Sequence, residues 1–255
     1  SLPTSAQEPG SRYQGPDPRP QHWPTPTHYI SPDGSDESDG TSPQTAWQTF
    51  EHAVPSLRPG DVLGVMDGTY EIETTGMIDI DCGINGSDWN GLEGQSITIR
   101  AVNERQPFFA SDGAVPAVHI NRCRNWNVLG LTVRGDDKKM SEAETHLIGN
   151  SHSADLVGVH HSKNIALKRM LAVHSNRLGV NANNHIVTIA SSQHVIVEES
   201  EAYEHHRHAL MAWKSEHVTF RRNYVNPREH YAWEGFPEDR RQRSDEAIAY
   251  YRGSW

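Results

Sequence analysis

Two cations that close short apolar strands are the residues of this sequence best placed to do chemistry. Lys214 ends the stretch LMAWKS and Arg252 ends IAYYRG, each just after an alternating apolar pair. Set in register, the two stretches put Lys214 beside Arg252 and Trp213 beside Tyr251. A lysine acts as a general base only when neutral, and a guanidinium stacked beside it disfavours the cationic form. Aromatic faces next to cations suit sugar rings that carry carboxylates. The pattern suits an anionic sugar chain, with cations meeting its carboxylates. Read singly, the same two cations also fit ordinary solvent-facing positions.

The elements that must position them form a repeat. VHINRCRNWNV begins at Val118, VGVHHSKNIAL at Val157, VTIASSQHVIV at Val187, LMAWKSEHVTF at Leu210 and IAYYRGSW at Ile248. Each copy has two alternate apolar residues, a small residue three further on, then more apolar residues. The small column is Cys123, Ser162, Ser192, Ser215 and Gly253; the next apolar column is Trp126, Ile165, Val195, Val218 and Trp255. Period-two alternation reads as strands, and a small residue between two strand runs reads as a tight bend. The shortest interval, Val187 to Leu210, is about one coil of a parallel β-solenoid, and the longer ones add a loop. The Asn125, Asn164, His194 and His217 column resembles the side-chain ladders of such coils. Outward residues then stack as Asn121, His160, Ala190, Trp213 and Tyr251, followed by Arg122, His161, Ser191, Lys214 and Arg252. Of these, Trp213, Tyr251, His160, His161 and Arg122 are expected to line a substrate groove, joined by Arg207 and His208 just before the lysine strand.

The rest of the chain bounds this reading. Its 255 residues carry a net charge of -10, which leaves no global footprint for nucleic acid. No apolar run is long enough for a membrane helix. Residues 1–28 are rich in Pro, Gly, Ser and Gln and read as an extended arm or linker, opening like a processed mature protein. From Tyr29 a short strand leads to an Asp/Ser/Gly-rich loop, and then to an amphipathic segment with Trp47, Phe50, Val54 and Leu57 on one face. Thr45 and Gln48 have the spacing of a capping box at its start. A strand at Val62–Val65 opens the first coil, and the preceding helix would cover the sheet edge.

The stretch from Tyr29 to Tyr70 resembles the opening segment of secreted right-handed parallel β-helix proteins, many of them polysaccharide lyases and glycoside hydrolases. The resemblance implies an all-β right-handed parallel β-helix over 29–255 with an N-terminal capping helix, in a secreted, extracellular or periplasmic protein. AWKS and YYRG are similar to the lysine and arginine motifs of the alginate lyase and chondroitinase B group, polysaccharide lyase family 6. That likeness implies β-elimination of a uronic-acid polysaccharide, with Lys214 as the base and Arg252 assisting the departing oxygen. The family's calcium is held by acids at two alternate positions before the lysine strand. Arg207 and Ala209 stand there, so calcium's ligand positions are not matched.

Other polar clusters have plainer readings. HHRH at 205–208 reads as a polar turn rather than a metal site, since no Cys or acid stands at ligand spacing. Asp33, Asp36 and Asp39 read as turn formers. A hydrolase needs two carboxylates across the scissile bond, and Asp245 and Glu246 lack a second outward acid. In coil register Ile78 and Ile80 precede Val118 and Ile120, which brings Cys82 within one position of Cys123, and a disulfide is expected. Trp255 falls in mid-coil, so further sequence or another chain is expected to complete it. The alternative to a lyase is a non-catalytic β-helix surface, adhesin or fibre component that binds glycans or assembles with partner chains.

Overall fold

The computed structural model describes residues 23–83, 89–111, 115–135, 155–173, 185–203, 208–226 and 246–251. Among them the strands form one sheet of seven and two of six, and every strand pairs in parallel with the strand one coil before or after it. One coil runs through Val157–His160, Lys163–Lys168 and Leu171–Val173, and the chain re-enters the second sheet at His185–Ala190. This is a parallel β-helix. Among the described residues no helix is long and apolar enough to cross a membrane.

The apolar columns of the sequence stack in register inside the coils. Val118, Val157, Val187 and Leu210 make one, and Ile120, Val159, Ile189 and Ala212 the next. Trp126, Ile165, Val195 and Val218 face them from the first sheet. All are buried, and each large aliphatic contributes about 1.5–3 kcal/mol by leaving water. Inner strands pair on both sides with neighbouring coils, and alternation along each strand sets which side chains reach the outer face.

The bend after the second sheet is built by two adjacent columns. Arg122, His161, Ser191 and Lys214 adopt φ of 56°, 49°, 50° and 49°, the left-handed region, which costs a side-chain-bearing residue roughly 1–2 kcal/mol. A serine ladder offsets that cost. The hydroxyls of Ser162, Ser192 and Ser215 accept from the N–H of Cys123, Ser162 and Ser192 one coil earlier, at 3.0, 3.0 and 3.1 Å. They donate to the carbonyls of His160, Ala190 and Trp213 at 2.7, 2.9 and 2.9 Å. The ladder is buried, so the small-residue column is a column of hydrogen bonds as well as of tight turns. Ser192→Ala should lower the unfolding free energy by about 1–3 kcal/mol, because it leaves the Ser162 N–H without its acceptor. Urea denaturation reads this directly, and an unchanged midpoint would contradict it.

At Cys123 a disulfide takes the place of the serine link. It joins Cys82, with Cα atoms 5.0 Å apart. Asp81 pairs with Asn121 in the sheet, so the bond crosses between coils by one position. It closes a loop of sequence separation 41, a constraint that stabilises by about 3–4 kcal/mol in the chain-entropy view.

The N-terminal cover differs in detail from the pattern in the sequence. The helix is Phe50–Ser56, and Thr49 caps it by accepting from the His52 N–H at 3.2 Å. The expected Thr45–Gln48 box does not form. Asp36 instead takes the N–H groups of Gln48 and Thr49 at 2.8 and 2.9 Å and the Thr49 hydroxyl at 2.6 Å. Burial pushes the Asp36 carboxyl up, but these hydrogen bonds outweigh it and hold it below the ordinary range. Trp47 lies outside the helix, bridged to Ile30 and stacked on His28. Phe50 packs on Tyr70 and Phe109 and closes the coil end. Part of the stretch read as an arm is already docked: Trp23 lies under Arg100, and the Thr27 N–H donates to Val62 at 2.8 Å.

Candidate functional site

The outer face of the second sheet carries the groups able to do chemistry. Opposite the buried Ile80, Ile120, Val159, Ile189 and Ala212, two outward columns run across the coils. One is Asp79, His119, Gly158, Thr188 and Met211; the other is Asp81, Asn121, His160, Ala190 and Trp213. The left-handed column of Arg122, His161, Ser191 and Lys214 borders the second.

Most of the residues expected in the groove are on this strip. Trp213 is 42% exposed, and the Lys214 ammonium stands 5.3 Å from its ring centroid. His161 is exposed, with Nδ1 3.3 Å from the Asn121 amide oxygen. Arg122 is engaged by Asp81: its Nε donates at 2.8 Å, a second contact runs from Nη2, and Asn121 donates to the same carboxylate at 2.9 Å. The Arg122 hydrogen bonds hold the Asp81 carboxyl below its ordinary range. Tyr251 pairs with Trp213 one coil on. His208 is buried, stacked on His185 at 4.9 Å, and so lies beneath the surface rather than on it. Arg207 and Arg252 lie outside the described residues.

An acid–imidazole cluster adjoins the strip. Asp155 is almost wholly buried, with Oδ1 3.1 Å from His185 Nδ1 and Oδ2 3.7 Å from His160 Nε2. The Thr188 hydroxyl lies 3.2 Å from the same His185 nitrogen. Burial pushes the Asp155 carboxyl up, but its contacts with His160, His185 and Thr188 overcome this and keep it below the ordinary range. The His160 ring is partly exposed and meets His119 edge-on at 5.4 Å, and His119 Nδ1 lies 2.8 Å from Asp79. Two carboxylate–imidazole pairs therefore stand side by side on the outer face.

Five members of this cluster escaped the sequence reading: Asp79, His119, Asp155, His185 and Thr188. A signal for them exists. Asp155, His185 and His208 each stand two residues before the first apolar residue of a copy, and Asp79 and His119 occupy matching positions between paired apolar residues. Among the described residues no three His, Cys, Asp or Glu side chains converge to hold a metal ion. The calcium of the resembling lyases does not fit this chain's lysine strand, because Ala209 is buried and has no side-chain oxygen to offer.

No protein-family model matches the sequence, and no curated protein matches it. Among solved structures the chain is similar to a pectate lyase, with a TM-score of 0.59 at 13% identity over 82% of this chain and 56% of that one. A rhamnogalacturonan lyase gives 0.48 at 15% identity, over 89% and 63% of the two chains. An alginate lyase from Paenibacillus sp. str. FPU-7 gives 0.45 at 12%, over 79% and 71%. The chain thus spans a little over half the length of the pectate lyase, and what it shares with that enzyme is the parallel β-helix fold.

Proposed function

We propose that this chain binds a uronic-acid polysaccharide along the outer face of its second sheet and cleaves it by β-elimination. The observation that carries this reading is the strip itself. An exposed indole, an adjacent lysine and two partly exposed imidazoles stand on the face opposite the buried Ile120, Val159, Ile189 and Ala212 column. Lys214 takes the proton from the ring carbon beside the carboxylate. Arg252, next to Tyr251 in sequence, assists the departing oxygen. Trp213 and Tyr251 offer faces to the sugar rings, while His160, His161, Arg122 and Arg207 meet the chain's charge, with His208 supporting them from below. The shared fold with a pectate lyase supports a carbohydrate-active protein, and the disulfide suits an oxidising compartment, hence export to the periplasm or beyond the cell.

The test is release of unsaturated uronate ends, followed by ultraviolet absorbance, from alginate, pectate, chondroitin and dermatan. We expect one of them to be cleaved. Release from none, by folded protein, would favour the glycan-binding or assembly alternative.

A further inference from the structure

β-Elimination moves two protons: one leaves carbon, and one must reach the departing oxygen. An arginine helps the second step by charge alone, since its guanidinium does not give up a proton readily. The strip holds a better donor. His160 is partly exposed toward the groove, and a buried carboxylate, Asp155, stands behind its Nε2 at 3.7 Å. Such a buried acid is costly unless paired, and a carboxylate behind an imidazole fixes the ring's orientation.

The seat for this ring is built by a missing side chain. A Cβ at Gly158 would stand 2.8 Å from His160 Nε2 and 3.1 Å from its Cδ2, so a side chain at 158 would push the His160 ring from this place. The next coil supplies the space for a sugar. Ala190 lies between His160 and Trp213 in one column, leaving a gap with an imidazole on one wall and an indole on the other. At one strand spacing on each side the walls are roughly 10 Å apart, room for a single sugar ring. Lys214 follows Trp213 on the far wall.

We infer that His160, positioned by Asp155, is the proton donor to the departing oxygen, acting across the Ala190 gap from Lys214. This rests on the lyase reading above. The neutral Lys214 amine takes the proton from the carbon beside the carboxylate. That C–H electron pair becomes the ring C=C bond, and the C–O glycosidic bond breaks. The departing oxygen takes a proton from the His160 imidazolium. His160 ends neutral and Lys214 cationic, and solvent restores both.

The test is steady-state kinetics of wild type, His160→Ala and Asp155→Asn on whichever polymer the wild type cleaves, each protein first shown to be folded by thermal unfolding. We expect His160→Ala to lower kcat by about 100-fold or more with KM within a few-fold. Added imidazole should restore part of that kcat. Asp155→Asn should lower kcat about tenfold with KM unchanged, as a positioning residue would. Wild-type kcat in His160→Ala, or a loss that sits in KM and resists imidazole, would overturn the assignment while leaving the lyase reading intact. Absence of cleavage by the wild type would remove both.

Discussion

Lys214→Ala should abolish release of unsaturated ends, with kcat lower by about 1,000-fold, and Lys214→Arg should be equally inactive. The pair of variants separates two roles. Alanine removes both charge and base. Arginine keeps the charge at the same left-handed position of the bend, where φ is 49°, but a guanidinium does not become a neutral base. If Lys214 only attracts the polymer, Lys214→Arg will cleave at nearly the wild-type rate. Neither change touches the core, since Lys214 is exposed and the bend is held by the Ser215 hydroxyl at 2.9 Å from the Trp213 carbonyl. A loss of activity is then chemical rather than structural.

The largest effect on stability is expected at Asp155. Asp155→Ala should lower the unfolding free energy by about 3 kcal/mol, because it strips a buried carboxylate from His185, itself buried, and from His160. The same group should give the fold an acid limb. Its folded carboxyl lies below the ordinary value of 3.8, so its contribution is fully present above the unfolded value. It is lost as pH falls through the depressed folded one. Urea midpoints measured between about pH 6 and pH 2 should drop more steeply for the wild type than for Asp155→Asn. Parallel curves would show that Asp155 is not an ionised partner of the imidazoles.

The fold was legible because its signal is repeated. Val187, Ile189 and Ser192 mean little alone, but the same spacing at Val157, Val159 and Ser162 fixes both the strand and the bend. The outward column from Asn121 to Trp213 follows from that spacing without further assumption. Two kinds of information were not there to read. Helix capping at the N-terminus turned on a contact between Asp36 and Thr49 that crosses a loop, and local spacing favoured Thr45 and Gln48 instead. In the acid–imidazole cluster, Asp155 and His185 stand before the apolar template, and Asp79, His119 and Thr188 stand between its paired apolar residues, one column away from the outward column that the bend marks. Asp155 and His185 are also brought together only by coil stacking. Polar residues two positions upstream of the copies at Val157, Val187 and Leu210 are the available clue.

The strip on the second sheet is the centre of this reading, and its most direct test is calorimetric titration of a uronic-acid oligosaccharide into the wild type and Trp213→Ala. Trp213 is exposed, so its removal leaves the core unchanged while deleting the aromatic face and the ring beneath the Lys214 ammonium. We expect the wild type to bind and Trp213→Ala to bind about tenfold more weakly. Equal affinity in the two proteins, or no binding by either, would place the polysaccharide off this face altogether.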